Sequence, residues 1–132
     1  MASSHIHSGS PSAVWQFILD KTGAGIPVVL MYVLESHGSS PGRQGFHMAV
    51  AADHVFRGTI GGGIMEHKFV EMAKALFERG HSGEMIFRQV HDKSSSEQSG
   101  MICSGEQTLF VYPVQEADLP HITSLVHSLQ AL

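Results

Sequence analysis

The sequence predicts a single α+β domain of the broad α/β class, with a mixed β-sheet of about five strands and flanking helices. Three observations predict it. The run from Pro27 to Leu34 is apolar and β-branched, Ile64 to Arg79 carries a long amphipathic pattern, and the remaining apolar stretches are short and separated by glycine, proline and serine. A chain of 132 residues, 42% of them hydrophobic, suits one core. Such a chain buries roughly two thirds of its unfolded surface, so it needs neither disulfides nor a structural metal to fold.

Residues 1–11 lack both the basic start and the apolar stretch of a signal peptide and read as a disordered polar leader, which leaves 12–132 as the domain. Val14, Phe17 and Ile18 recur at helical spacing, with Ser12 placed to cap that helix and Gly23 and Gly25 placed to stop it. Pro27 to Leu34 reads as a central strand buried on both faces. The loop from His37 to Gly45 follows, and then Phe46 to Ala51 and His54 to Thr59 form a hairpin around Ala52 and Asp53.

In the next segment, Met65, Phe69, Met72, Ala73, Leu76 and Phe77 hold the three-and-four spacing of an amphipathic helix that Gly80 ends. Glu84 to Val90 reads as a strand, His91 to Gly100 as a polar loop, and Gln107 to Val114 as the last strand. Ile122, Leu125, Val126 and Leu129 mark a closing helix between Leu119 and Leu132. Periodicity leaves the strand order open.

The formal charge of −4, from 8 basic and 12 acidic residues, supplies no basic field for nucleic acid or an anionic membrane. No apolar run reaches the roughly eighteen residues of a bilayer span. The single cysteine, Cys103, excludes an internal disulfide framework and favours a reducing compartment, so a cytoplasmic protein is expected. The ten histidines are scattered without the spacing of a zinc site, and no metal is assigned.

Three segments carry residues suited to chemistry. Gly61, Gly62, Gly63 and Glu66 stand between a strand and the start of the long helix, where free backbone N–H groups and the helix dipole favour an anion such as a phosphate. The same segment also reads as a tight turn that binds nothing, with Glu66 as a capping residue. It is neither a Walker loop nor a dinucleotide fingerprint. Ser39, Ser40 and Arg43 offer two hydroxyls and a guanidinium for a polar ligand, or an ordinary Ser-Ser-Pro turn. Cys103, followed by Gly105 and preceded by a polar loop, reads either as an accessible thiolate or as a small buried hydrophobe.

These segments, GSSPGRQGFHM at Gly38 to Met48, GTIGGGIMEHK at Gly58 to Lys68 and GMICSGE at Gly100 to Glu106, occur in an order that resembles the N-terminal domain of the XdhC/CoxI family. The resemblance covers about Val14 to Pro113. It implies an accessory protein that binds molybdenum cofactor (molybdopterin) as cargo, protects it, and supports its sulfuration and insertion into a xanthine dehydrogenase-like or carbon monoxide dehydrogenase-like hydroxylase. The partners it implies are that client enzyme and a sulfurtransferase, with the chain itself as a homo-oligomer. Gly61 to Gly63 would take the phosphate, Ser39, Ser40 and Arg43 polar groups, and Cys103 the sulfur-rich end.

The sequence departs from the family pattern at two places. Cys103, Ser104 and Gly105 stand where the family often has Cys-Gly-Gly, and Ile64 stands where some members carry cysteine. Longer members also continue into a Rossmann-like domain that these residues do not include, so its function is expected to be absent or supplied by another protein. A cofactor-binding chaperone is therefore expected rather than a catalyst. The alternatives are a thiol enzyme or sulfur carrier using Cys103 with His37 or His47 as base, and a scaffold that binds no cofactor.

Overall fold

The unbroken apolar run after Pro27 forms the first half of the central strand β1 (Val28–Gly38), whose alternate residues enter two different cores. The computed structural model describes residues 10–38, 42–61, 63–80, 82–91 and 105–131. Strand β2 (His47–Ala51) pairs with β1, and β3 (Phe56–Gly58) returns beside β2 as the expected hairpin. On the other side of β1 lies β5 (Gly105–Pro113), with β4 (Met85–His91) at the edge. The sheet order is β3-β2-β1-β5-β4.

Every pairing is antiparallel, where a mixed sheet was expected. The reason lies in the crossover. Parallel neighbours require a long connection, usually a helix, and the connection of that kind here is α2 (Gly63–Arg79), which joins β3 to β4. Those strands run in the same direction but sit at opposite edges, so they never meet.

Helix α2 covers one face of the sheet. Its Phe69, Val70, Ala73 and Leu76 pack on Val29, Met31 and Val33 of β1, Met48 and Val50 of β2, and Leu109 and Val111 of β5. The opposite face carries α1 (Pro11–Gly23) and α3 (Leu119–Gln130). There Val14, Phe17, Ile18, Ile122 and Val126 meet Val28, Leu30, Ala49 and Ala51. Full burial of one such side chain stabilises the fold by about 1.5–3 kcal/mol, which explains why the strand with a core on each side is the most apolar segment.

Helix α1 begins two residues earlier than expected. Its N-cap is Ser10, whose hydroxyl accepts from Ala13 N at 3.2 Å, rather than Ser12. Pro11 at the first helical position explains the shift, because its fixed φ suits a helix start and it has no N–H to leave unpaired. Between β3 and α2, Gly58 adopts φ +90°, and a Cβ there would stand 2.3 Å from the carbonyl oxygen of His47. Only glycine lets the hairpin close against β2 at that point. Among the described residues, no helix is long and apolar enough to cross a membrane.

Candidate functional site

One end of the sheet carries the described residues that border two of the segments singled out by sequence. Gly38, the last residue of β1, is the register partner of Gly105, the first residue of β5, and Gly105 is also opposite His91, the last residue of β4. The chain that follows Gly38 and the chain that precedes Gly105 therefore leave the sheet at the same end. Ser39, Ser40, Gly62 and Cys103 lie outside the described residues. Their described neighbours are Gly38, Gly61, Gly63 and Gly105.

A bulge sets the side-chain directions at this end. Val33 is opposite Leu109 but Glu35 is opposite Thr108, which makes Leu34 an extra residue in β1. Directly paired residues share a face of the sheet, so the bulge places Ser36 beside Gln107 on the α2 side. Gln107 is fully buried, and it is in phase with Leu109 and Val111 of the core.

The Gln107 side chain links three parts of the chain. Its Oε1 accepts from Gly42 N at 2.9 Å, and its Nε2 donates to the carbonyl of Ile60 at 3.4 Å. Gly42 belongs to the first segment and Ile60 to the second, while Gln107 follows the third directly. Gly42 must be glycine for a steric reason, since a Cβ there would lie 2.4 Å from the Ile60 oxygen and 2.8 Å from Gln107 Oε1. Sequence reading missed Gln107. The available signal was a polar residue occupying an apolar phase of the alternation that continues through Leu109 and Val111.

The glycine turn before α2 is held by Thr59, a second residue that sequence reading did not single out. Its hydroxyl accepts from Gly61 N at 3.2 Å and donates to the carboxylate of Glu66 in the first turn of α2. Glu66 is thus tied back onto the turn, and its charge sits where the helix dipole favours an anion. Gly63 opens the helix. Arg43 is exposed and starts a tight turn in which its carbonyl accepts from Phe46 N at 2.9 Å. Gly45, at φ +92° in that turn, returns the chain to β1 by donating to the Val33 carbonyl at 2.9 Å.

Charged groups gather near the same end. Arg88 of β4 donates to Glu106 of β5 through Nε at 3.1 Å, and Glu106 is opposite His37 in β1. His37 Nε2 stands 3.5 Å from Glu35. His47, the other histidine read as a possible base, points to the opposite side of the sheet from Gln107, where it stacks on Tyr32 with ring centroids 5.5 Å apart. Among the described residues, no three His, Cys, Asp or Glu side chains form a metal-sized cluster.

The XdhC and CoxI family model matches residues 22–89, just over half of the chain and inclusive of the first two segments. The uncharacterized protein YqeB of Escherichia coli K12 is 33% identical over 86 residues, a match that covers 64% of this chain and 15% of that protein. A crystal structure described as a xanthine dehydrogenase from Bacillus halodurans superposes with a TM-score of 0.67 at 21% identity. That match covers 89% of this chain and 35% of the other, and it shows a shared fold. The chain thus spans about a third of the structural relative and a smaller share of the curated one.

Proposed function

The chain belongs to the XdhC and CoxI family, and on that premise we propose that it is an accessory protein that binds molybdenum cofactor and delivers it to a xanthine dehydrogenase-like or carbon monoxide dehydrogenase-like hydroxylase. The cofactor is cargo in this reading. The client hydroxylase and a sulfurtransferase that sulfurates the cofactor are the partners.

The observation that carries the proposal is the anchorage of the first two segments on Gln107, through Gly42 and Ile60, at the strand that the third segment leads into. The cofactor presents a phosphate, a hydrogen-bonding heterocycle and a thiophilic metal, and the three segments offer a matching set of groups. Gly62, Gly63 and the start of α2 supply N–H donors and a positive dipole end for the phosphate, while the Gly61 N–H is held by Thr59. Ser39, Ser40 and Arg43 supply donors for polar edges, and Cys103 supplies a thiolate for the sulfur-rich end. A docking end built from three separate stretches of chain holds such a ligand only if those stretches keep a fixed spacing, and the buried amide fixes two of them relative to β5.

Anaerobic retention of molybdenum cofactor by the purified chain tests this function, read as bound molybdenum and pterin fluorescence for wild type, Gly62→Val and Cys103→Ala. Stoichiometric retention by wild type, lost in Gly62→Val and weakened in Cys103→Ala, is expected. A folded wild-type protein that retains neither molybdenum nor pterin would overturn the proposal.

A further inference from the structure

One side of the sheet ends in a strand whose outer edge pairs with nothing among the described residues. β3 closes the opposite edge with three residues, whereas β4 runs for seven. An unpaired edge presents a row of N–H and C=O groups to any incoming strand, and folded chains blunt it with charges, proline or a short length. The described side chains of β4, Met85 to Arg88, carry one charge, and Arg88 is engaged by Glu106 of the neighbouring strand. Both faces of this edge also leave apolar groups open to water. Ile86 is opposite Phe110, on the side of α1 and α3, and is 61% exposed. Phe87 is opposite Leu109, on the side of α2, and is 36% exposed, with its ring perpendicular to that of Phe69 at a centroid distance of 5.9 Å.

This edge is complementary to itself. Directly opposite residues of an antiparallel pair share a hydrogen-bonding state that alternates along each strand, so a two-fold axis relating two copies of one strand must pass beside a residue. Of the centres from Met85 to Arg88, Arg88 would set two guanidinium groups against each other, Phe87 would set Arg88 against Ile86, and Met85 would set Ile86 against Glu84. Centred on Ile86, the pair sets each Arg88 opposite Glu84 of the other copy, each Phe87 opposite Met85, and Ile86 opposite its counterpart. Glu84, exposed and directly before β4, falls on the same face as Arg88 by alternation. Glu106 takes two of the five N–H donors of the Arg88 guanidinium, so a second carboxylate finds donors there.

We propose that β4 is a docking edge for a second copy of this chain, the two β4 strands pairing antiparallel about Ile86 so that both sheets join into one. Charge complementarity selects this occupant, because Glu84 and Arg88 stand at equal distances on either side of Ile86 and meet their opposites only in a two-fold pair. The seam covers Ile86 on one face and Phe87 on the other. It is short, so the dimer forms reversibly and depends on concentration. His91, the last residue of β4, lies at the end of the sheet where Gly38 and Gly105 meet, and an antiparallel seam therefore sets the docking ends of the two copies at opposite ends of the joint. The inference rests on β4 and holds whether or not the chain binds molybdenum cofactor.

Sedimentation equilibrium of the full chain across a concentration series, with hydrogen exchange read at the β4 amides, tests the interface. Wild type is expected to dimerise reversibly, and exchange at alternate residues of β4 to slow as the dimer forms. Ile86→Lys sets two ammonium groups opposite each other at a position exposed in the monomer, and Glu84→Arg sets like charges opposite Arg88. Each is expected to fold as wild type and to raise the dimer Kd by at least about tenfold. Combining Glu84→Arg with Arg88→Glu restores opposite charges across the seam and is expected to recover most of the affinity, a rescue that loss of structure in either variant would not give. A wild type that stays monomeric up to its solubility limit, a dimer indifferent to Ile86→Lys, or a double variant that pairs no more tightly than Glu84→Arg alone would overturn the inference, the first of these leaving the edge to a strand of a different protein.

Discussion

The backbone N–H of Gly42 lies 2.9 Å from the side-chain oxygen of Gln107, a contact between positions 65 residues apart in sequence. The two partners of that amide fix its orientation, since the Gly42 N–H must meet oxygen and the Ile60 carbonyl must meet nitrogen. A buried side chain thereby satisfies two backbone groups from two loops. Both groups lie in a part of the fold where regular secondary structure does not supply that partner.

Replacement of Gln107 by leucine keeps the volume and removes both bonds. Gly42 N–H and Ile60 C=O each lose that bond, and a loss of about 2–4 kcal/mol in unfolding free energy is expected, measured by urea denaturation. Gln107→Glu separates the two bonds. Its carboxylate still accepts from Gly42 but faces the Ile60 oxygen, and burial without a cation raises its pKa. A raised folded-state pKa favours the fold below the unfolded carboxyl value and disfavours it above, so this variant should regain stability as pH falls from 7 toward 4. A Gln107→Glu protein whose deficit stays constant over that interval would show that the Ile60 contact contributes nothing.

Gly42→Ala addresses the same junction from the loop. The added Cβ would stand 2.4 Å from a backbone oxygen that belongs to a different segment and cannot rotate away. The loop must move, and Gln107 must lose at least one bond. A destabilisation of about 1–3 kcal/mol by thermal unfolding is expected, together with reduced cofactor retention in the proposed function. Wild-type stability and retention in Gly42→Ala would mean that the loop has room to shift and that its position is not set by Gln107.

The fold was legible where one periodicity held over a long stretch. The spacing from Met65 to Phe77 reports a helix with one buried stripe, and the structure places Phe69, Met72, Ala73, Leu76 and Phe77 of that stripe against the sheet. Pro27 to Leu34 report a strand with a core on each side, which is what the central position of β1 provides. Strand neighbours were not legible, because alternation reports which face a residue occupies and not which strand lies beside it. The Leu34 bulge and the Ser10 cap depend on register and on one proline, features that a repeat pattern averages away. For the site, the glycines and hydroxyls were visible as residue types, whereas Gln107 and Thr59 act through partners 65 and 7 residues distant. Such contacts emerge only once the chain is folded.

Thr59→Val tests the hydroxyl that holds the glycine turn. Valine has nearly the same shape, so packing is preserved while Gly61 N loses its acceptor and Glu66 its donor. A loss of about 1 kcal/mol in stability is expected from denaturation curves. The larger effect should fall on ligand binding, as weaker retention of the cofactor by a folded protein. Retention equal to wild type would show that the turn keeps its shape without the hydroxyl.

Tyr112 and Asp118 offer a pH-dependent test of how β5 is joined to α3. The phenol donates to Asp118 Oδ2 at 2.6 Å, and the same oxygen accepts from Gln115 N at 2.8 Å, where the chain turns out of the sheet. That hydrogen bond, aided by burial and by the negative charge of Asp118, pushes the Tyr112 pKa up to about 12. Because the folded-state value lies above the ordinary tyrosine value of about 10, the stabilisation is complete below pH 10 and is lost as pH rises toward 12. Absorbance titration should show Tyr112 ionising with a midpoint of about 12. Asp118→Asn retains an acceptor for both donors but removes the charge, so the Tyr112 midpoint should fall toward 10. Tyr112→Phe should cost about 1 kcal/mol at neutral pH and nothing near pH 12, where the wild type has lost the same bond. A Tyr112 midpoint that does not move in Asp118→Asn would assign the shift to burial and the hydrogen bond itself, with no contribution from the Asp118 charge.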